Sequence, residues 1–562
     1  MSKYQSPGVY PTTRDLSTIV PAVGTSTAAL VGYSERGSLN VQLITNRQQF
    51  IEEYGLPDIT KSFFHYTALA FLEKGNSLYC KRVVGDSALY AGLTVVDNTG
   101  SAHRALETGR STITSFYDDQ SEDSNSDALF SIYAKDPGSW AEKVSVTITD
   151  VKEVALNSNE DYDETDQYTF KINVWYTDSD GNKNNVESWL VSRKRKVDGY
   201  GRQLYLEDRI NQYSRYIYVA DSTLDDTIVP LEYVDGNGDA VDVALGGGAD
   251  GSAVSASDIE TGWDDFENPD NIKVQILLDA GFTAATLDSE VASIQTKIKS
   301  IAETRRDCIA ILCIPEDIVT NTFKTATEMI TYRDTTLNIN SSYAALYATY
   351  CVINDSYNDR IVRVPPSGYI GGHYALTDAV ADVWYAPAGF DRGTLNVLGL
   401  THTFTQGERD QLYSAGINCL QTFRGYGHVI YGQKTLQKKA SALDRVNVRR
   451  LLLMTEEATV LLLRSFLFEL NNELTRFTIS ATLDEYYSRL SSAGAFQTEA
   501  GDSGYLVICD TRNNTPAVLD ANELHVDIFL KPARVAEFIK LQTVLTKTGV
   551  SFTELISRGA IL

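Results

Sequence analysis

From Tyr505 to Thr548 the chain runs YLVICDTRNNTPAVLDANELHVDIFLKPARVAEFIKLQTVLTKT. Its opening, YLVICD, is strand-like, and the polar TRNNTP that follows supplies a turn through Asn and Pro. In ELHVDIFL (Glu523 to Leu530), Leu524, Val526, Ile528 and Leu530 alternate with His525, Asp527 and Phe529, which is the period of a half-buried strand. Lys531 and Pro532 predict a short helical turn over ARVAEF, because proline suits a first helical position and blocks a continuing strand. IKLQTVLTKT (Ile539 to Thr548) is extended again, and GVSFTELISRGAIL forms a loose end. So small a sheet is marginal alone and exposes its edges. The two ends of the chain are candidates to cover them.

At 562 residues the chain can hold two to four domains. Hydrophobic content of 43% and charged content of 22% describe an ordinary globular protein. The start, MSKYQSPGVY, has no apolar run of the signal-peptide kind. No apolar stretch approaches membrane-spanning length, since Glu456, Glu457 and Arg464 interrupt LLLMTEEATVLLLRSFLF. Cys80, Cys308, Cys313, Cys351, Cys419 and Cys509 are scattered without a CxxC pair, and are expected as buried free thiols.

A net charge of −25 argues against nucleic-acid binding. From Asp221 to Asp270 there are fourteen Asp/Glu and no Lys/Arg, whereas Lys531 to Leu562 carries five basic residues against Glu537 and Glu554. The middle therefore predicts a solvated acidic face.

Residues 1–20, with Pro7 and Pro11 and few large apolar groups, predict an extended arm. A β-α-α-β block follows: TSTAALVG, then ITNRQQFIEEYG with Asn46 as helix cap, then SFFHYTALAFLEKG, then NSLYCKRVV. Residues 91–267 are acidic and turn-rich, as in DSDGN and DGNGD, and predict a mostly β insertion domain. From Ile272 the pattern becomes α/β. KVQILLDAG and CIAILCIP are buried strands around the amphipathic helix SEVASIQTKIKSIAETR, and SYAALYATYCVIND is a third buried segment. Two long helices occupy the stretch from Val446 to Leu490, with Leu451, Met454, Ala458, Leu461 and Ser465 expected on one face of the first.

Candidate chemistry is sparse. GDSG (Gly501 to Gly504) has the look of a serine-nucleophile loop, but Tyr505 stands where a further Gly is needed and no histidine lies in a matching motif. DGNGD and DSDGN open like calcium loops, yet position twelve is Gly246 counted from Asp235 and Trp189 counted from Asp178. Turns, or at most a weak cation site, are expected there. LGGGADG lacks the GK[ST] of a phosphate loop, and His373 has no spaced ligand partner. No catalytic group, cofactor or metal is expected, and the chain is not expected to be an enzyme.

Several motifs, in order, resemble those of the contractile tail sheath proteins of phages and phage-tail-like bacteriocins. They are TSTAALVG with GNSLYCKRVV, AKDPGSWAEKVSVTI, LGGGADG, VPPSGYIGGHYALTDAVADVWYAPAG, GINCLQTFRGYGHVIYGQKTL and CDTRNNTP…LHVDIFLKPARVAEFI. The second departs from the family pattern, with Ala141 and Glu142 in place of Gly-Asn. The resemblance implies an α+β / α/β multidomain protein: an arm (1–20), a sheath core in two parts (21–90 and 268–435), the outward-facing β insertion (91–267), an inner C-terminal domain of helices and a small sheet (436–548), and a second arm (549–562). It implies a homo-oligomer of stacked hexameric rings around a tail tube protein, ended by baseplate and tail terminator proteins. Contraction would drive the tube through a target envelope. The location implied is the virion tail, assembled in the host bacterial cytoplasm, with no nucleic-acid partner and no membrane insertion. Arms of neighbours would complete the small sheet, anchored by Val9, Tyr10, Phe552, Leu555 and Ile556, and Lys531 and Arg534 would face the tube. The alternative is a receptor- or surface-binding structural protein of the particle.

Overall fold

The computed structural model describes residues 26–96, 103–105, 109–111, 128–152, 168–178, 181–198, 200–222, 226–280, 287–317 and 323–541. At its centre is a nine-stranded sheet. Six neighbouring strands run parallel: β3 (Leu78–Val83), β1 (Ala28–Tyr33), β12 (Ile276–Leu278), β13 (Ile309–Cys313), β14 (Ala344–Ala348) and β19 (Ile417–Phe423). Antiparallel pairing adds β2 (Gln42–Ile44) at one edge, and β20 (Gly427–Tyr431) with β17 (Thr394–Leu395) at the other.

A parallel sheet must be covered on both faces, so its strands are apolar throughout. Alternate residues divide between two cores. Ala28, Leu30, Ile309 and Ile311 meet α1 (Arg47–Tyr54), α2 (Phe64–Phe71) and α7 (Ser367–Val380) through Phe50, Phe64, Phe71, Ile370 and Tyr374. Ala29, Val31, Ala310 and Leu312 face α4 (Ala256–Trp263) and α5 (Asp288–Arg305) through Ile259, Trp263, Ile294 and Ile298. Asn46 caps α1 as expected, its side chain accepting from the Gln49 N–H at 2.8 Å.

The glycines of VPPSGYIGG have a packing cause. A Cβ on Gly368 would lie 2.2 Å from the Thr67 carbonyl oxygen, and one on Gly371 would lie 2.6 Å from a Leu278 methyl. Bare backbone thus lets α7 rest against α2. His373 on α7 is structural. It donates from Nδ1 to the Arg392 carbonyl at 2.6 Å and accepts from Lys74 Nζ at 2.9 Å, while burial holds its pKa at about 4.

Two expectations are corrected. SYAALYATYCVIND is two strands, β14 and β15 (Cys351–Asp355), parted at Thr349 with φ 84; β15 leaves the main sheet to join β16 (Arg360–Val364) and β18 (Gly399–Leu400). On the first long helix, α9 (Val446–Arg464), the buried stripe is Leu451, Thr455, Ala458 and Leu462; Leu461 is half-buried and Ser465 exposed. A stripe counted from Leu451 in steps of three and four can drift either way around the helix, and the packing partners select one side.

Among its described residues the insertion holds two four-stranded antiparallel sheets. They are β10 (Ile217–Asp221), β6 (Ala128–Ala134), β4 (Gly92–Val96) and β5 (His103–Ala105); and β11 (Val243–Ala244), β7 (Val144–Lys152), β8 (Thr169–Thr177) and β9 (Lys183–Val191). Helix α3 (Leu206–Tyr213) flanks them, and Phe130 stacks on Phe170 between them at 5.6 Å. The outgoing and returning chains pair with each other, Leu89 with Ala249 and Gly92 with Gly246. There the PGSW and GGGADG motifs meet. The Ser139 N–H and hydroxyl each donate to the Asp250 carboxylate at 2.8 Å, and Gly138 adopts φ 136. Beside this neck Arg36 lies over the Tyr176 and Tyr216 rings, and Arg215 pairs with Glu52 at 2.6 Å.

Close helix contact makes Gly368→Ala an overpacking change. It is expected to destabilise the fold by about 1–3 kcal/mol, read as a lower urea midpoint. A second expectation concerns Glu316, buried after β13, whose carboxyl burial raises to about 7 although Thr401 donates to it at 2.8 Å. A raised carboxyl pKa contributes stability that is complete below the unfolded value and is lost as pH climbs through the folded one. Wild type should therefore weaken relative to Glu316→Gln between pH 4.5 and 7, by roughly 1.4 kcal/mol per pH unit, in denaturant melts across that range.

Candidate assembly surface

The C-terminal unit is built on α9 and α10 (Glu473–Ser492). Leu451, Leu462, Ile479, Leu483 and Tyr487 form its core together with Trp384 of the WYAPAG motif. The Asn447 amide donates to the Trp384 carbonyl at 3.0 Å, and the Thr459 and Tyr487 hydroxyls meet at 2.9 Å. Against these helices lie β21 (Tyr505–Ile508) and β22 (Asp527–Leu530), antiparallel, with Val507 opposite Ile528. Tyr505, Val507, Ile528 and Leu530 point inward. The opposed pair Leu506 and Phe529 points outward and is about half exposed. Among the described residues no third strand joins them.

The Asn pair in TRNNTP does more than turn the chain. Asn514, almost wholly buried, accepts from the His525 N–H at 2.8 Å and donates to its carbonyl at 2.9 Å. An amide side chain so takes the place of a strand partner ahead of β22. A short helix, α11 (Pro516–Asp520), closes the connection.

The expected helical turn over ARVAEF does not form. Residues 531–533 instead bond to the chain after α10: the Gln497 N–H donates to the Lys531 carbonyl at 2.8 Å, and the Ala533 N–H to Ala495 at 3.0 Å. A six-residue helix must overcome nucleation for few bonds, and extended pairing satisfies the same groups at once. Lys531 is exposed and ion-paired to Asp502. Arg534 is exposed at the rim of a cleft of about 290 Å³, whose lining includes Arg445, Val448, Pro532 and Glu537.

Glu537 fixes the segment that leaves this unit. Its carboxylate accepts from Arg445 Nε at 2.7 Å, from the Tyr413 hydroxyl at 2.8 Å and from the Gln433 amide at 3.1 Å. Tyr413 lies on α8 (Gln406–Ser414) and Arg445 precedes α9, so one side chain ties the departing chain to the body. Burial and the adjacent carboxylate push the Tyr413 phenol up. Past this point Phe538, Ile539 and Leu541 are more than four-fifths exposed. A second apolar surface lies at the α9–α10 corner, where Leu467, Phe468, Leu470, Leu474 and Phe477 face solvent.

Val9, Tyr10, Phe552, Leu555 and Ile556 lie outside the described residues, as do both predicted arms. The enzyme-like motifs are otherwise occupied. Asp502 of GDSG accepts from the Gly504 N–H and from Lys531, and the Ser503 hydroxyl donates to the Tyr505 carbonyl. Asp235 of DGNGD accepts from the Asn237 and Asp239 N–H groups, which makes that stretch a turn. All six cysteines are buried free thiols. Among the described residues no helix is long and apolar enough to cross a membrane.

Residues 252–436 match the phage tail sheath protein central domain. The chain is 33% identical to the tail sheath protein of Enterobacteria phage T4 over 66% of its own length and 55% of that protein's. It is 36% identical to the tail sheath protein of Vibrio phage KVP40 over 56% of its own length and 48% of the other's. It thus spans about half the length of these curated relatives. In fold it is similar to the PVC sheath complex of an extracellular contractile injection system in the contracted state, with a TM-score of 0.52, 15% identity, and 97% and 99% of the two chains covered. The chain is therefore related to the contractile tail sheath proteins.

Glu537→Ala leaves Arg445, Tyr413 and Gln433 without their shared acceptor. Limited trypsinolysis should then cut after Arg534 or Lys540 at least several-fold faster. The main unfolding transition should keep its midpoint, because the sheet and α9–α10 do not depend on this contact.

Proposed function

We propose that this chain is the structural subunit of a contractile tail sheath, polymerising as stacked hexameric rings around a tail tube and contracting to drive that tube through a target cell envelope. The observation that carries the proposal is the joining of a body related to the tail sheath central domain to a C-terminal unit in which, among the described residues, apolar side chains and sheet edges are uncovered. Apolar surface of that extent on a soluble chain marks a contact with another molecule. The work is mechanical: free energy is stored in the assembled lattice, and no nucleotide, cofactor or metal takes part.

In this reading the segments 1–20 and 549–562 are arms that cross to the C-terminal sheets of neighbouring subunits. Backbone hydrogen bonds set the register, at about 0.5–1.5 kcal/mol net each, and Val9, Tyr10, Phe552, Leu555 and Ile556 anchor the strands. Strand addition of this kind uses the free edges of β21 and β22. Glu537 is held by Arg445, Tyr413 and Gln433, so the chain that leads to the arm would leave its own body from a fixed place. Lys531 and Arg534 face an acidic tube surface, the first after exchanging its internal partner Asp502. The acidic insertion faces outward. Baseplate and terminator proteins close the two ends of the tail, which is assembled in the host bacterial cytoplasm.

Deleting residues 1–20 or 549–562 should leave a soluble, folded monomer that no longer forms tubes, as read by sedimentation and negative-stain microscopy. Normal tubes from either deletion would overturn the arm exchange.

A further inference from the structure

Two further surfaces of the molecule are exposed. The first lies at the β17–β20 edge of the main sheet. Phe390 lies 4.5 Å from Tyr426 and 5.2 Å from Phe423, whose ring is 4.9 Å from Tyr431. Tyr426 is 60% exposed, and Phe390 and Tyr431 more than 40%. The Arg409 guanidinium lies over both Phe423 and Tyr431, Arg392 covers Tyr385 alongside, and Arg424 is exposed on the hairpin turn. None of these three arginines has a carboxylate partner among the described residues. Clustered Tyr, Phe and Arg side chains of this kind make up the energetic centres of protein interfaces.

The second surface is the α9–α10 corner. Leu467, Leu470 and Leu474 are 64–77% exposed, and Phe468 is wholly exposed in a left-handed backbone conformation, φ 67. Its rim carries Glu469 and Glu473 beside the apolar groups, and the Arg464–Asp270 ion pair at the end of α9 is close to neutral. A 19-residue helix, about 28 Å long, separates this corner from the end of α9 that packs beside Trp384.

We propose that the aromatic–arginine platform of one copy receives the acidic-rimmed apolar corner of a second copy, and that this head-to-tail contact is a lattice interface of the sheath. The occupant follows from complementarity. Exposed leucines and Phe468 need an apolar cover, which the four rings supply, and the Glu469 and Glu473 carboxylates match the Arg392, Arg409 and Arg424 guanidiniums, which have no carboxylate partner among the described residues. Neither surface suits its own copy, since platform on platform sets arginines together and corner on corner sets glutamates together. The pairing is therefore heterologous, the kind that closes rings or builds helices. It rests on the sheath reading and names a contact additional to the arms.

The test uses the full-length chain carrying Phe468→p-benzoylphenylalanine, with Leu474→p-benzoylphenylalanine as a second probe position. Isotopically light and heavy copies are mixed before assembly and irradiation. Crosslinks between light and heavy chains, joining position 468 or 474 to peptides holding Phe390 or residues 423–431, are expected. Arg424→Glu should lower the assembled fraction at least tenfold, and adding Glu473→Lys to the same chain should restore it. Tubes whose crosslinks from both positions fall elsewhere, or an Arg424→Glu chain that assembles like wild type, would overturn the pairing and leave the sheath reading intact. A wild-type chain that never polymerises would overturn both.

Discussion

Parallel pairing of β1 with β12 is the constraint on which the remaining architecture depends. Ala28 stands opposite Ile276 and Leu30 opposite Leu278, although nearly half the chain separates the partners. Neighbouring parallel strands cannot be joined by a tight turn and need a crossover. Here the crossover contains β2, two helices, β3 and then the whole insertion. The pairing holds only if the returning chain arrives at a fixed place, and the neck supplies that. Leu89–Ala249 and Gly92–Gly246 zip the two connecting segments, and Asp250 locks Ser139 of the outgoing side. Whatever the insertion does beyond the neck, the sheet sees two ends held side by side.

Coupling between the body and the C-terminal unit follows from α7. Glycines on one side of this helix let it lie against α2 and the sheet, while Asp378 on its last turn pairs with Arg450 of α9 at 2.6 Å. Both side chains of that pair are buried, and Arg450 also covers the Tyr374 ring. A buried ion pair of this kind adds little net stability but penalises any displacement that separates its charges. Together with Trp384 it makes the junction stiff. A load applied at the C-terminal unit would reach the main sheet through α7 and α9.

The body was readable in the sequence because its strands are continuous apolar runs and its helices carry clear periods and caps; Asn46 and α5 came out as expected. The misreadings share a cause. SYAALYATYCVIND is uniformly apolar, so nothing in its pattern marks the break at Thr349 that sends its second half into another sheet. The ARVAEF turn has helical propensity, but residues 495–497 compete for its backbone groups, and a distant competitor leaves no local trace. Asn514 was visible only as a turn residue, since its bonds to His525 depend on a fold that brings the two together. Glu537 was counted only toward net charge, and its three donors come from three separate stretches of chain.

In the proposed sheath, the small C-terminal sheet would reconcile a folded subunit with ready polymerisation. Its inner face rests on α9 and α10. Its outer face ends at Leu506 and Phe529, and a two-stranded sheet gains little from its own pairing. Covering such side chains stabilises a contact by about 1.5–3 kcal/mol each when burial is complete. Much of that gain is offset by the lost freedom of the joining chains. Individual contacts in the proposed lattice are therefore weak and exchangeable, and strength comes from their repetition around each ring. A lattice bound in this way can trade one set of contacts for another without passing through separated subunits, provided some link stays closed throughout. The proposed arms would meet that condition, because a strand can keep its register on a neighbour while the bodies at either end turn.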